Sequence, residues 1–346
     1  MTLGDLGAQV IKVERPGTGD ETREWGPPFD DRGESAYYLC VNRNKFSIAL
    51  DFDVPADAEL IRQLALEADV VVENFRPGVL ERKGFAPLAA LAANPRLVWC
   101  TLSGFGEDSD RPGYDFVVQA ESGWMSITGA PDGEPMKVGV ALADVIAGKD
   151  AAVGILGALA ARERGTLGTA PDARRIVVSL LHSATASLVN VAQNVLVSGS
   201  EARRWGNAHA NLCPYELFRT ADRPVVIAVG TDAQWRAGMC AIGLDQLAAE
   251  DNLRTNAGRL QNRDRIVADI SRVLRSKPAE YWLRELQRAG VPCGVVRGVR
   301  DAVQNLGGSA RTGVPPLAPG QVRMEPPTLD QHGTVIRQRR WNAFNA

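Results

Sequence analysis

Short runs of apolar and β-branched residues alternate with segments of helical periodicity through the first half of the chain. Apolar positions recur at helical spacing in residues 55–68, and Pro87–Ala93 begins with a proline, which suits the first turn of a helix. Apolar runs separated by helices are typical of a parallel sheet that is covered on both faces. We therefore predict an α/β fold with strands at residues 8–14, 47–52, 69–75 and 97–106.

The second half predicts two further regions. A helix at residues 145–161 is followed by a strand at 176–181 and then by a helix, both expected to be buried. From about Asn207 a loop leads to a smaller α+β unit with strands at 224–230 and 291–296. We expect a large Rossmann-like domain at 1–185, a linker at 186–206, a small domain at 207–298 and a return segment to the large domain at 299–346.

Composition and charge narrow the class of protein. The 346 residues are 45% hydrophobic and 23% charged, as in an ordinary globular protein, and the formal net charge is −2. Without a global basic field we expect no nucleic-acid or membrane partner. The uncharged stretch Ile176–Ser200 carries many polar groups that a bilayer cannot satisfy. Five scattered cysteines without a CxxC pair indicate a reducing cytoplasm, and three histidines without ligand spacing give no metal site.

One acidic residue, Asp144, stands between two apolar runs in the stretch KVGVALADVIAGKDAAVGILGALAAR. Asp is a favoured N-cap, and the predicted helix follows directly, so Asp144 is interpreted first as its cap. A helix N-terminus also keeps a carboxylate ionised and oriented, and such a carboxylate can act as a nucleophile. The local pattern leaves both roles open.

Several other segments have a structural and a functional interpretation. Arg15 and Arg23 flank a glycine-rich turn after a strand, and Arg43 and Lys45 precede the next strand; each pair is either solvated or part of an anion site. Residues 230–235 (GTDAQW) are either a turn with a helix cap or a mobile lid. His209 is expected to be a hydrogen-bonded loop residue, and His182 a packed core residue.

Taken together, these segments resemble the class III CoA-transferase family. The matching stretches are LGAQVIKVERPGTGD, NRNKFSIALD, ADVVVENFRPGVLERKGF, LSGFG, PGYDFVVQAESG and VGVALADVIAG, in the family's order. ARRWGNAHANLCPYELFRT and GTDAQW extend the similarity, which is strongest to the succinate–hydroxymethylglutarate (glutarate) branch. The resemblance implies an interlocked homodimer of two ring-like chains.

The resemblance also implies a mechanism with coenzyme A as a substrate and no permanently bound cofactor. Asp144 matches the catalytic aspartate, which attacks an acyl-CoA thioester, becomes an aspartyl-CoA thioester and passes CoA to an acceptor acid. Gly230 and Gln234 match a glycine-rich lid near the oxyanions. The implied CoA contacts are Arg15, Lys45, Asn74, Phe75 and Arg82, with Tyr114 and Asp115 at the pantetheine end.

Two features bear on alternatives. Racemases of 2-methylacyl-CoA resemble this chain but carry a histidine in a Gly-His-Asp motif, whereas Tyr114 stands there in this sequence. Tyrosine, with an ordinary pKa near 10, is a poorer base near neutrality than histidine, so transferase is favoured over racemase.

Family members begin roughly one βα unit upstream of LGAQVIKVE, so strand 8–14 is expected to pair beside an upstream strand. A truncated, inactive CoA-binding member is the non-enzyme alternative.

Overall fold

The protein is described by a computed structural model over residues 1–345, which divides into two compact units. The first unit comprises residues 1–124, 137–197 and 303–345, and the second comprises 125–136 and 198–302. The strands are β1 (Ile11–Glu14), β2 (Phe46–Ala49), β3 (Val70–Glu73), β4 (Val98–Ser103), β5 (Arg175–Ser179), β6 (Tyr215–Arg219), β7 (Pro224–Ala228) and β8 (Cys293–Val295).

Helices connect and cover these strands. They are α1 (Thr2–Asp5), α2 (Ala36–Leu39), α3 (Pro55–Glu67), α4 (Val79–Arg82), α5 (Pro87–Ala93), α6 (Asp115–Glu121), α7 (Trp124–Ile127), α8 (Leu142–Glu163), α9 (Leu180–Ala186), α10 (Asn190–Ser198), α11 (Asp232–Ala241), α12 (Asp245–Ala249), α13 (Asn256–Gln261), α14 (Arg263–Leu274), α15 (Ala279–Arg288), α16 (Val299–Asn305) and α17 (Gly333–Arg339). Within residues 1–345, no helix is both long and apolar enough to cross a membrane.

The first unit contains parallel sheets, which confirms the predicted α/β class. Strand β1 pairs with β2, with Ile11 opposite Phe46, and β3, β4 and β5 form a second parallel sheet in that order. A cavity of about 880 Å³ is lined by both β1 and β3. Parallel strands need covered faces, and long helices such as α3 and α8 supply that cover.

The end of the chain packs into this first unit. Ile336 of α17 is fully buried against Ile48 and Leu50 near β2. The rings of Phe46 and His332 stack with their centroids 3.9 Å apart, and Phe46 also stacks on Phe344. Apolar contacts across nearly the whole sequence therefore close the first unit.

The second unit is built on an antiparallel sheet in the order β6–β7–β8. Its core is a single buried cluster that includes Phe218, Trp235, Ile270 and Leu286. Strand β6 lies in a segment that the sequence predicted to be loop, and that prediction is wrong. Register explains the difference, because Phe218 opposite Val225 places both side chains in the core.

Two expectations for residues 176–200 fail. The strand and helices form, but α10 has no buried residue, and Leu196 and Val197 are 77% and 78% exposed. His182 on α9 is exposed rather than packed in the core. Both were assigned to the core because their neighbours are uncharged, and lack of charge does not distinguish a core helix from an apolar surface.

Candidate active site

Asp144 lies inside the first turn of α8 and is not its N-cap, so the capping interpretation is wrong. The helix begins at Leu142, and Ala141 at the N-cap position makes no side-chain capping bond. The cap comes from α6, where Asp115 Oδ1 accepts the Ala143 backbone N–H at 2.9 Å. The free N–H of Ala143 at the start of α8 is therefore satisfied by a side chain of α6. The Asp144 carboxylate does not cap the helix.

Two glycines allow the loop that leads into α6 to lie close against the end of β4. A Cβ built on Gly104 would lie 2.4 Å from Gly113 Cα, and one built on Gly113 would lie 2.2 Å from Gly104 Cα. Only glycine at both positions allows this backbone approach. The GFG and PGYD segments are thereby brought together, which places the start of α6 at the carboxyl end of a parallel strand, where ligands bind in such sheets.

The carboxylate of Asp144 is exposed in this single chain, and no hydrogen bond from residues 1–345 contributes to its titration. Two effects raise the pKa of Asp144 from 3.8 to about 6. The larger is partial removal of water by the surrounding protein, and the smaller is repulsion from Asp115. The raised pKa and the exposed position are compatible, because a carboxylate can reach solvent at one side while protein crowds the others. Near neutral pH the group is ionised and more basic than an ordinary aspartate.

Tyr37 on α2 is a neighbour that the sequence did not single out. Burial raises its pKa, and the charges of Asp144, Cys40 and Asp115 raise it further. Its ring lies edge-on to Trp25 with the centroids 4.9 Å apart. Tyr37, the first of two adjacent tyrosines in the YYL stretch, carries no spacing signal, so only the fold shows that it is close to these carboxylates.

Three of the predicted CoA contacts, Lys45, Asn74 and Phe75, line the same cavity between β1 and β3. The Lys45 ammonium donates a hydrogen bond to Asn42 Oδ1 at 2.8 Å. Burial is the main cause that lowers the pKa of Lys45 to about 8, and repulsion from Lys12 is the second. Asp144 is not among the residues that line this cavity. Lys45, Asn74 and Phe75 thus lie in a cavity that does not include Asp144 or its neighbouring carboxylate, Asp115.

The remaining predicted contacts are on the surface of the first unit. Arg15 and Arg82 are exposed, and no hydrogen bond or ion pair to either guanidinium is found within residues 1–345. Tyr114, 59% exposed, immediately precedes α6. Asp115 differs, because both of its carboxylate oxygens accept hydrogen bonds from the protein.

Two arginines weighed as anion-site residues are occupied by the fold. Arg23 is buried and forms two ion pairs: its Nη2 lies 2.7 Å from Glu14 Oε1, and its Nη1 lies 2.6 Å from Glu34 Oε1. Arg43 is buried against Asp5 at 2.8 Å and also donates to the Thr312 carbonyl. Their charges are already compensated, so the anion-site interpretation is wrong for both. Sequence proximity could not reveal carboxylates that are distant along the chain.

The predicted lid residues belong to the second unit, at the start of α11. Gln234 Oε1 accepts from the backbone N–H groups of Gly230 and Thr231, at 2.9 and 3.2 Å, and Thr231 Oγ1 accepts from the Gln234 N–H. This is a complete capping box. His209, as expected, is a hydrogen-bonded loop residue, because its Nδ1 accepts from the Asn211 N–H at 3.0 Å.

Residues 1–339 match the family model described as CoA-transferase family III. The chain belongs to CoA-transferase family III. It is 40% identical over 304 residues to succinyl-CoA:glutarate CoA-transferase from Mus musculus, covering 87% of this chain and 68% of that protein. It is 38% identical to succinate–glutarate CoA-transferase from Agrobacterium fabrum, over 86% of this chain and 76% of that protein.

A solved structure agrees with the family membership. The crystal structure of a CaiB/BaiF family protein from Brucella suis superposes with a TM-score of 0.82 at 36% identity, covering 97% of this chain and 93% of that one. The fold class and the family predicted from the sequence are thus confirmed, and the protein is a family III CoA-transferase. In residues 1–345, no group of three His, Cys, Asp or Glu side chains is arranged to hold a metal ion.

Proposed function

We propose that this protein moves CoA between carboxylic acids, one of which is a dicarboxylate such as succinate or glutarate. The observation that carries the proposal is the exposed Asp144 carboxylate in the first turn of α8, which forms no hydrogen bond within residues 1–345. The two relatives named above, which are named for glutarate transfer, support the choice of dicarboxylate. A carboxylate that is ionised, basic and unengaged is suited to attack a thioester.

In the proposed mechanism Asp144 attacks the acyl-CoA carbonyl, and the thioester breaks to give a mixed anhydride and CoA thiolate. The thiolate attacks the aspartyl carbonyl, which releases the donor acid as a carboxylate and leaves aspartyl-CoA. The acceptor carboxylate then attacks this thioester, forming a second anhydride and freeing CoA thiolate again. Attack of the thiolate on the acceptor's acyl carbon gives the new acyl-CoA and regenerates Asp144.

The CoA contacts remain part of this proposal. Arg15 and Arg82, with their exposed guanidinium groups, suit phosphate oxygens. Lys45, Asn74 and Phe75 share a cavity in which an ammonium, an amide and an exposed ring face the same space. We place Tyr114 at the pantetheine end of CoA. Its side chain is exposed, and it is the residue immediately before α6, whose first residue, Asp115, caps α8.

Two further parts of the proposal concern the second unit and the partner. Gly230 and Gln234 act as the lid, since the Gly230 backbone is exposed and its amide is held by a single side-chain oxygen. A second copy of the chain forms a homodimer by covering α10, whose Leu196 and Val197 are more than three-quarters exposed. Light scattering after size exclusion tests the dimer: a single-chain mass would contradict it.

The proposed compartment is the cytoplasm. Cys40, Cys100, Cys213, Cys240 and Cys293 are all free thiols in the structure, and free thiols persist where the surroundings are reducing. Fractionation of cells that express the protein, followed by immunoblotting, tests the location. Recovery in an oxidising compartment would contradict it.

The test of the function is an exchange assay with succinyl-CoA and glutarate, followed by mass spectrometry of the acyl-CoA products. We expect glutaryl-CoA and free succinate in equal amounts. Asp144→Asn should abolish the exchange, and Asp150→Asn, an exposed aspartate on the same helix, should retain it. Incorporation of deuterium at Cα of a 2-methylacyl-CoA without any exchange would favour the racemase instead.

A further inference from the structure

Helix α6 presents two polar side chains to the start of α8. Asp115 and Gln119 are four residues apart and therefore share one face of α6. Gln119 is fully buried, and its Nε2 donates to Asp115 Oδ2 at 2.6 Å. The two side chains are thus one connected unit rather than independent contacts.

This pair holds the segment that enters α8 at three points. Gln119 Oε1 accepts the Val138 N–H at 2.8 Å, and Nε2 also donates to the Val140 carbonyl at 3.2 Å. Asp115 Oδ1 accepts the Ala143 N–H at 2.9 Å. A buried amide whose oxygen and nitrogen both form hydrogen bonds, one of them to a carboxylate acceptor, is a rigid and geometrically specific arrangement.

We propose that Asp115 and Gln119 are the residues that position Asp144 for attack, by fixing residues 138–143 from α6 so that the Asp144 carboxylate is left free. This inference rests on the proposed function, because it assumes that Asp144 is the nucleophile. It assigns Asp115 a role in positioning instead of direct contact with CoA. Small displacements of a nucleophile are costly, since reacting atoms must approach within a narrow range of distance and angle.

The pair also sets the charge around the nucleophile. In the described residues, the ionisable groups that interact with Asp144 are Asp115 from α6 and Tyr37 from α2, with Cys40 acting on Tyr37. Asp115 is the carboxylate among these neighbours, and its electrostatic repulsion contributes to the raised pKa of Asp144. Removal of that charge should therefore shift the acid limb of activity to lower pH.

The test compares Asp115→Ala, Asp115→Asn and the double variant Asp115→Asn with Gln119→Glu. The alanine variant should lower kcat by roughly a hundredfold, with little change in KM, because the first turn loses its fixed geometry. Asp115→Asn keeps an acceptor for Ala143 but sets two NH₂ groups against each other. The double variant restores the donor–acceptor pair between the two side chains, and we expect it to recover part of the lost kcat.

The pH profile separates positioning from simple support of the fold. The acid limb of kcat/KM in Asp115→Asn should lie about half a pH unit or more below that of the parent. Glu121→Gln, an exposed position on the same helix, is the control and should leave the limb unchanged. Lower melting temperatures with unchanged kcat, KM and acid limb would overturn the proposal. If Asp144→Asn stays active, the proposed function itself fails; if only the Asp115 variants behave like the parent, only this inference fails.

Discussion

Helices α11 and α8 each carry an aspartate in the first turn, and these two aspartates have opposite surroundings. At α11, Asp232 pairs with the buried Arg259 at 2.8 Å, and Thr231 and Gln234 complete a capping box from within the same segment. At α8, the cap comes from a different helix, and no cation pairs with Asp144 in the described residues. The α11 start satisfies its own groups, whereas the α8 start leaves one carboxylate available. Under the proposed function, the available carboxylate, Asp144, is the one used for chemistry.

The largest expected effect comes from neutralising each aspartate in turn. Asp144→Asn should lower turnover by at least about a thousandfold, as expected when a nucleophile is removed. Asp232→Asn should retain most of the turnover, because the Asp232 carboxylate is used in the ion pair with Arg259. Steady-state kinetics of CoA exchange by both variants measures the contrast. Comparable losses in the two variants would remove the distinction between the two helix starts.

The next effect is on the stability of the second unit. The Arg259 side chain is 1% exposed and donates to the Cys213 and Leu253 carbonyls as well as to Asp232. Arg259→Met should lower the free energy of unfolding by about 3 kcal/mol, because buried acceptors lose their partner. Urea unfolding measures this change. A loss below the error of the extrapolation would mean that water replaces the guanidinium.

A smaller effect is expected at the capping box. Thr231→Ala removes the oxygen that accepts the Gln234 N–H and should cost about 1 kcal/mol of stability. Thr231→Ser keeps that oxygen and is the matched control. Thermal unfolding of the two variants compares them, and equal melting temperatures would show that the box contributes nothing measurable.

The smallest expected effect concerns stability and pH. The folded protein raises the pKa of Asp144 above its unfolded value, so the folded state binds the extra proton and its stability falls as pH rises from about 4 to about 6. Asp144→Asn removes this penalty. Because the side chain is exposed and screened, we expect a gain below about 1 kcal/mol at pH 7. The gain should vanish at about pH 3, which is below the unfolded pKa; a gain that persists there would have another cause.

The sequence predicted what local periodicity and motif order encode. The parallel strands, the helix at residues 55–68 and the family all follow from runs such as AQVIKVE and VGVALADVIAG. It could not predict which charges are paired. Arg23 and Arg43 looked like free cations, because Glu34 and Asp5 reach them only in the folded chain. Lack of charge likewise misled the assignment of α10 and His182 to the core.

The start of α8 shows the same limit at the site itself. Asp144 has the residue type and place of an N-cap, and the sequence gives no sign that Asp115, 29 positions earlier, caps the helix. Tyr37 was missed for the same reason, since its proximity to the two carboxylates arises from the packing of α2. Contacts between distant segments decide the roles of these residues, and such contacts leave no local pattern.

The most direct measurement is the identification of a covalent intermediate. The protein is incubated with succinyl-CoA, quenched with hydroxylamine, digested and analysed by mass spectrometry, with Asp144→Asn and Asp150→Asn in parallel. We expect a hydroxamate on Asp144 in the parent and in Asp150→Asn, and none in Asp144→Asn. Exchange of CoA in full-turnover samples without modification of Asp144, or with modification of another carboxylate, would contradict the account.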